Sequence, residues 1–266
     1  MSEKHSKHAG SLLFHLEEFA RTIRNAALVL LMGCILGLLG AKVILAELIK
    51  PYGGKLQVLG PTEGISILIR VGLAIGAAVA SPIIIYQILN FIIPAIETAQ
   101  EKRVARSLRF ALIPAAYLLF MVGAAFAWFV MIPAAIGFLA NFEIDLFNTE
   151  WTAERYVPFV LSLTLWVGIS FEMPLVFWFL GSIGVIGPKP LLKGWRFAIV
   201  AVAVIAAAIT PTVDPFNMML VMGPLIGLYF LSIILNAWAY WGHFRRMRGP
   251  VAKRPRRWRL GRRGDS

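Results

Sequence analysis

The stretch "FALIPAAYLLFMVGAAFAWFVMIPAAIGFLANF", residues 110–142, contains no Asp, Glu, Lys or Arg. A helix needs about 20 mostly apolar residues to cross the hydrocarbon core of a bilayer, so this stretch is long enough to span one. Five further uncharged runs lie at residues 26–41, 71–93, 156–171, 197–213 and 215–244. Together these runs predict an all-α integral membrane protein with six transmembrane helices.

The overall composition agrees with this prediction, since 59% of the residues are hydrophobic and 15% are charged, whereas a soluble domain carries about a quarter charged residues. We expect residues 1–240 to form one six-helix membrane domain and residues 241–266 to form a basic, disordered cytoplasmic tail. The predicted spans cover roughly 23–46, 70–94, 109–134, 156–180, 196–213 and 216–238. Close helix packing is indicated by three Gly-x-x-x-Gly pairs, at 33/37, 72/76 and 223/227.

The basic residues predict the orientation of the chain in the membrane. Six spans put residues 1–25, 95–109, 181–196 and those after 239 on one side, and these segments hold 21 of the 26 Lys and Arg residues. Positively charged loops mark the cytoplasmic side, so both termini are expected to be cytoplasmic. The loops between spans one and two and between spans three and four then form a small extracytoplasmic cap.

The formal net charge of +12 does not by itself indicate nucleic acid, because most of the basic residues lie in the predicted cytoplasmic segments. The tail "RRMRGPVAKRPRRWRLGRRGDS" (245–266) is expected to contact anionic membrane lipid or to stay disordered. No nucleic-acid partner is expected.

The motifs of common enzyme classes are missing from the sequence. It contains no H-E-x-x-H, no G-x-S-x-G and no phosphate-binding glycine loop. Cys34 is the single cysteine, and the four histidines lie outside the predicted spans. We therefore expect no catalytic residues, no metal site and no cofactor, and we predict that the chain is not an enzyme.

Four acids are candidates for a function. Glu172 lies in "VGISFEMPLVF" (167–177), inside span four. An ionisable group at the centre of a membrane helix costs ~2.5–3.5 kcal/mol on insertion scales. Glu172 therefore either forms a structural hydrogen bond to another helix or provides a polar site in a cavity. Glu18 and Glu101 lie in cytoplasmic segments, where they are either solvated acids beside basic residues or binding residues. Asp214, between spans five and six, is either a turn residue that caps span six or a functional acid.

Five stretches, in order along the chain, match motifs of a known family: "HLEEF" (15–19), "SPIIIYQILNFIIPAIETAQEKR" (81–103), "GFLANF" (137–142), "GISFEMPL" (168–175) and "ITPTVDPFNM" (209–218). With these motifs on a six-span topology, the chain resembles the TatC family, the polytopic core subunit of the twin-arginine protein translocase. The resemblance runs from His15 to about Ala239.

The resemblance implies a receptor for the Arg-Arg signal peptides of folded precursor proteins, which is also the core of a translocase driven by the proton-motive force. It implies signal-peptide binding by Glu18, Glu101 and Phe91, an intramembrane polar site at Glu172, and a functional acid of the outer loop at Asp214. The implied partners are these signal peptides, single-span subunits of the TatA/TatB type, further copies of the chain and membrane lipid. The implied location is the prokaryotic cytoplasmic (inner) membrane, as a multi-pass protein.

Two other functions fit parts of the sequence. A secondary transporter or ion-coupled carrier would use Glu172 as its substrate or proton site, although such proteins tend to show internal repeats and several facing intramembrane charges. A structural scaffold for other membrane subunits would not need cytoplasmic acids. Replacing Glu18 and Glu101 by Ala would then leave its activity unchanged.

Overall fold

The computed structural model describes residues 2–54, 56–92, 99–141, 151–210 and 215–247, with side chains at 20–54, 56–89, 111–141, 151–210 and 215–242. These residues form the helices α1 (Ser2–Ile49), α2 (Glu63–Ile92), α3 (Ala99–Phe126), α4 (Ile132–Asn141), α5 (Ala153–Phe171), α6 (Met173–Ser182), α7 (Pro188–Lys193), α8 (Trp195–Ile209) and α9 (Pro215–Met247). A 3₁₀ turn, Lys50–Tyr52, follows α1, and a π-helical segment, Ala127–Met131, joins α3 to α4.

By length and composition, five helical stretches of the described chain are long and apolar enough to cross a membrane. They are Ala20–Tyr52, Glu63–Leu89, Ala111–Asn141, Ala153–Ser182 and Pro215–Gly242, and Trp195–Ile209 is a shorter apolar helix. At 1.5 Å per residue the shorter helix, α8, extends ~23 Å, against ~30 Å for a hydrocarbon core. The five long spans and the shorter one confirm the prediction of an all-α, six-span membrane protein.

Two glycine pairs let α1 and α2 pack with their backbones in contact. Gly33 of α1 faces Gly76 of α2, and Gly37 faces Gly72. A Cβ atom on Gly33 would lie 2.8 Å from the Gly76 carbonyl oxygen, and one on Gly76 would lie 2.5 Å from the Cys34 nitrogen, closer than real Cβ atoms approach. The two Gly-x-x-x-Gly pairs of the first two spans therefore pack on each other, and the two helices run antiparallel. At the third pair the prediction of close packing is wrong for the described residues, because none of them lies within 4 Å of a Cβ atom placed on Gly223 or Gly227.

The core of the protein is built around α5. Tyr156, Val160 and Leu163 of this helix are each at most 1% exposed. α5 crosses α3 at a second close approach, where a Cβ atom on Gly123 would lie 2.9 Å from the Gly168 Cα. The small residues at this crossing bring α3 close to the end of α5, and so close to the predicted intramembrane acid.

The fourth span consists of two helices, α5 and α6, which meet at Glu172. Pro174 has no N–H to donate to the Ser170 carbonyl, and its ring clashes with that carbonyl in a regular helix. The chain instead makes a tighter turn, in which the Glu172 N–H donates to the Ile169 oxygen at 3.0 Å. The proline therefore places the acid at an interruption of the helix.

The short segments at one end of the bundle, residues 50–54, 56–62 and 151–153, form what we call the cap face together with the adjoining ends of α1, α2 and α5. Gln57 and Thr152 pair there as an isolated parallel β-bridge. The rings of Tyr52, Trp151 and Tyr156 pack together, with centroids between 5.7 and 5.9 Å apart. These contacts join the two loops that the sequence predicts to be extracytoplasmic.

At the opposite end of the bundle, α9 is hydrogen-bonded to the end of the fourth span and to the loop that follows it. Asn236 Nδ2 donates to the Phe177 oxygen at 2.7 Å and to the Ile186 oxygen at 3.1 Å. A Cβ atom on Gly181 would lie 2.8 Å from the same nitrogen. Because Gly181 has no side chain, the Asn236 amide can lie against the backbone of α6 and fix the loop that follows it.

Candidate functional site

Of the five residues for which the resemblance implies a role, Glu172 has a described side chain. Glu18, Phe91 and Glu101 lie on the helical backbone of α1, α2 and α3, but their side chains are outside the described residues. Asp214 is also outside the described residues. The roles of these four residues therefore stay predictions.

Glu172 is fully buried, with 0% of its surface exposed. It lies ~15 Å along the helix from the end of α6, at 1.5 Å per residue. Its Oε1 atom lies 3.1 Å from Oγ of Ser81 on α2. Its Oε2 atom has no hydrogen-bond partner among the described residues. A hydrogen bond to another helix, one of the two interpretations that the sequence leaves open, is thus present.

The surroundings of Glu172 are neutral. Residues 71–93, 110–142 and 215–242, which form most of α2, α3, α4 and α9, contain no Lys or Arg. Tyr117 of α3 donates its O–H to the Val79 oxygen of α2 at 2.7 Å. Among the described residues, no group of three or more His, Cys, Asp or Glu side chains could hold a metal ion. The arrangement can form hydrogen bonds, and among the described residues no salt bridge to Glu172 is present.

Ser81 is a site residue that the sequence analysis does not identify. It lies in an uncharged apolar run, where a hydroxyl group carries no distinct signal. The signal that could have identified Ser81 is its position directly before Pro82, because a proline inside a helix leaves a carbonyl that a nearby hydroxyl can bind.

Glu63 is a second buried acid that the sequence analysis misses. It is 8% exposed and lies at the start of α2, on the cap face. Its Oε2 accepts the N–H of Leu59 at 2.7 Å and of Gly60 at 3.3 Å, and its Oε1 accepts the N–H of Glu154 at 2.8 Å. Glu63 therefore joins the loop before α2 to the N-terminus of α5, which is a structural role.

A groove between α1 and α2 lies next to the positions predicted to bind signal peptides. Its volume is about 430 Å³, and it is lined by Thr22, Ile23, Ala26, Ala27, Leu30, Ile84, Gln87 and Ile88. Thr22 follows Glu18 by about one helical turn, and Gln87 precedes Phe91 by about one turn. The groove thus begins beside two of the helical positions implied by the resemblance.

A larger cavity, of about 790 Å³, lies at the cap face, and Arg70, Glu154 and Arg155 are among its lining residues. Arg70 Nη2 lies 4.0 Å from Glu154 Oε1, and the two side chains are 49% and 62% exposed. An ion pair of this length and exposure contributes little to stability. Glu172 does not line this cavity.

Comparison with known proteins agrees with the motifs. The family model described as TatC, Sec-independent protein translocase protein, matches residues 14–224. The chain is 33% identical over 224 residues to the Sec-independent protein translocase protein TatC of Synechocystis sp., which covers 84% of this chain and 86% of that protein. It is 34% identical over 229 residues to the TatCd protein of Bacillus subtilis, covering 86% of this chain and 92% of that protein.

A solved structure is also similar over most of the chain. It is a crystal structure described as the twin-arginine translocase receptor TatC, with a TM-score of 0.73 and 37% sequence identity. The similarity covers 85% of this chain and 99% of that chain. It therefore extends across the membrane helices and is not confined to a single motif.

Proposed function

This chain belongs to the TatC family of Sec-independent protein translocase proteins, and we propose that it is the receptor for twin-arginine signal peptides and the core subunit of a translocase for folded proteins. The observation that carries this proposal is the similarity to the crystal structure of a twin-arginine translocase receptor, at 37% identity. The family is a component of a protein translocase, a transport function, and not a class of catalytic enzyme.

Glu18 and Glu101 are the proposed partners of the two signal arginines. A guanidinium group pairs with a carboxylate through two parallel N–H···O bonds, whereas a lysine ammonium is a compact charge that loses this geometry. Glu18 lies toward the start of α1 and Glu101 at the start of α3. Because α1, α2 and α3 alternate in direction, both starts are at the end of the bundle opposite the cap face, which supports a shared site.

The groove between α1 and α2 is the proposed binding surface for the apolar part of the signal peptide. Its lining is mostly Ala, Ile and Leu side chains, and burying apolar peptide surface contributes about 25 cal/mol per Å². Phe91 lies one helical turn beyond the lining residue Gln87. A peptide in this groove would extend from the proposed arginine site into the membrane.

We place the protein in the prokaryotic cytoplasmic membrane with both termini cytoplasmic, an orientation supported by the distribution of Lys and Arg residues. Export is driven by the proton-motive force without nucleotide hydrolysis. The partners are single-span subunits of the TatA/TatB type and further copies of this chain. Glu172 is a polar anchor for the inserted signal peptide or for a partner helix, and Asp214 acts on the outer side.

The experiment that tests the receptor function is photocrosslinking of the purified protein to a twin-arginine signal peptide and to its twin-lysine variant. We expect strong crosslinking of the first and weak crosslinking of the second. The double variant Glu18→Ala, Glu101→Ala should reduce the twin-arginine crosslink at least about tenfold, since hydrogen bonds to charged groups contribute about 1.5–3 kcal/mol each.

Glu47→Ala provides the matched control, because Glu47 lies on the same helix as Glu18 but near the cap face, where its 56% exposed side chain pairs with Lys50. This variant should bind the twin-arginine peptide as well as the unmodified protein does. Equal crosslinking of both peptides, or no loss in the double variant, would overturn the receptor assignment.

A further inference from the structure

Pro82 leaves a carbonyl oxygen of α2 without its helical donor. In an α-helix the N–H of each residue donates to the carbonyl four residues earlier, and Pro82 has no N–H to give to Ala78. Ser81, which is 7% exposed, lies with its Oγ 3.2 Å from the Ala78 oxygen. Because a carbonyl inside a membrane span has no water to donate to it, the Ser81 hydroxyl can satisfy the Ala78 oxygen by donating its single proton.

The same hydroxyl group contacts Glu172, at 3.1 Å from Oε1. A hydroxyl has one proton and two acceptor lone pairs, and an ionised carboxylate can only accept. An ionised Glu172 would therefore compete with Ala78 for the one Ser81 proton. A neutral carboxyl group has an O–H of its own, which can donate to Ser81 Oγ, so the neutral form satisfies both contacts.

No Lys, Arg or His lies in the central runs of the other spans. The central runs 26–41, 71–93, 110–142, 197–213 and 215–242 contain no Asp, Glu, Lys, Arg or His, and their titratable side chains are Cys34 and tyrosines. Among these tyrosines, Tyr117 donates its O–H to the Val79 oxygen. Within the part of the chain that the structure describes, an ionised Glu172 would thus be a fully buried charge without a paired cation, which is much less favourable than a buried neutral carboxyl group.

We propose that Glu172 is held as a neutral carboxylic acid, whose O–H donates to Ser81 Oγ while the Ser81 O–H donates to the Ala78 oxygen. Ser81 is then a positioning residue, which orients the carboxyl group and fixes its proton on Oε1. The two hydrogen bonds join α2 to the fourth span at the points where Pro82 and Pro174 interrupt the helical pattern.

The neutral form gives Glu172 a different chemistry from that proposed for Glu18 and Glu101. Those acids must be ionised to bind a guanidinium group. The neutral acid, whose proton goes to Ser81, instead leaves Oε2 as an acceptor for an amide N–H or a hydroxyl group of a helix or peptide. Glu172 is therefore assigned to neutral polar contacts and not to the signal arginines.

Infrared difference spectroscopy of the purified, full-length protein at neutral pH tests the proton on Glu172. A protonated carboxyl group has a C=O stretch well separated from the carboxylate bands. We expect this band in the unmodified protein and its loss in Glu172→Gln. The matched control is Glu154→Gln, whose exposed acid should change the carboxylate bands alone.

Ser81 variants test the positioning role with the same readout. In Ser81→Ala the carboxyl O–H loses its acceptor, so the C=O band should shift to higher frequency. Ser81→Thr keeps a hydroxyl that can bond to the preceding turn, so it should restore the band to its original position. A band that stays in place in the Ala variant would overturn the role of Ser81.

The proposal fails if the unmodified protein lacks the band at neutral pH and gains it only on acidification to about pH 4, where exposed glutamates titrate. The Glu172→Gln comparison decides this even if a Ser81 variant does not fold. The spectrum requires no signal peptide, so its outcome is independent of the crosslinking result for Glu18 and Glu101.

Discussion

Glu63 on the cap face and Glu172 in the fourth span are both buried acids, but their hydrogen-bond partners differ in kind. Glu63 is surrounded by three backbone N–H groups, which are donors and nothing else. Glu172 meets one hydroxyl group, whose proton a second acceptor also requires. The first environment selects an ionised carboxylate and the second a neutral acid, so burial alone does not determine the charge of a glutamate in this protein.

The two acids also differ in what they connect. Glu63 joins a loop to the N-terminus of α5, and its contacts complete backbone groups that would otherwise be unpaired. Glu172 lies at a break in a span, with one carboxyl oxygen unpartnered among the described residues. We therefore expect substitutions at Glu63 to act on stability, and substitutions at Glu172 to act on transport.

The largest effect on stability is expected for Glu63→Ala. It leaves three backbone N–H groups without their acceptor at a nearly buried position, and should lower the free energy of unfolding by roughly 2–4 kcal/mol. Thermal unfolding followed by circular dichroism in detergent measures the loss. An unchanged melting temperature would mean that solvent at the cap face replaces the carboxylate.

Ser81→Ala should have the next largest effect. It removes the donor of the Ala78 oxygen and the acceptor of Glu172 together, which we expect to lower the free energy of unfolding by roughly 1–2 kcal/mol. Ser81→Thr should recover most of this loss in the same unfolding assay. If the Thr and Ala variants are equally destabilised, the hydroxyl group is not the stabilising feature.

Glu172→Leu should change stability by no more than about 1 kcal/mol, because it removes a buried polar group and leaves Ser81 bonded to Ala78. Export of a folded precursor should nevertheless fall, since Leu cannot form the polar contact, whereas Glu172→Gln should keep most of the activity. Export into inverted membrane vesicles, measured beside unfolding, separates the two effects. Full export by the Leu variant would count against any role for Glu172.

The smallest effect is expected for Glu154→Ala. Its carboxylate is 62% exposed and lies 4.0 Å from the Arg70 guanidinium, so its removal should change the free energy of unfolding by no more than about 0.5 kcal/mol. The backbone N–H that Glu63 binds is retained in this variant. A loss of unfolding free energy as large as that of Glu63→Ala would show that the exposed Glu154 side chain, and not the buried Glu63 carboxylate, stabilises the contact between the start of α2 and the start of α5.

The sequence is sufficient to predict the helical six-span fold, because long uncharged runs have few alternatives to a membrane helix. The motif order is sufficient to indicate the family, which the family model and the relatives confirm. The Gly-x-x-x-Gly pairs are also visible in the sequence. That the pair 33/37 packs on the pair 72/76 is not visible, because a glycine pair permits close packing without specifying the facing helix.

The environments of the two acids could not be predicted from the sequence. Glu172 is conspicuous as the one charge in its span, but its partner Ser81 lies 91 residues earlier, in a different helix. Glu63 resembles an ordinary acid at the start of a helix, although its third donor, Glu154, is likewise 91 residues away. Both environments depend on how α2 packs against the fourth span, which local patterns do not encode.

The most direct measurement compares Glu63→Gln and Glu172→Gln in one unfolding assay. At Glu63 the glutamine amide places an NH₂ group where the carboxylate oxygen accepts a backbone N–H. We therefore expect the free energy of unfolding to fall by roughly 1–3 kcal/mol. At Glu172 the NH₂ group can donate to Ser81 as the acid O–H does, so we expect a change within about 0.5 kcal/mol. If Glu172→Gln destabilises the protein as much as Glu63→Gln, then Glu172 is held as a carboxylate and the distinction between the two acids is wrong.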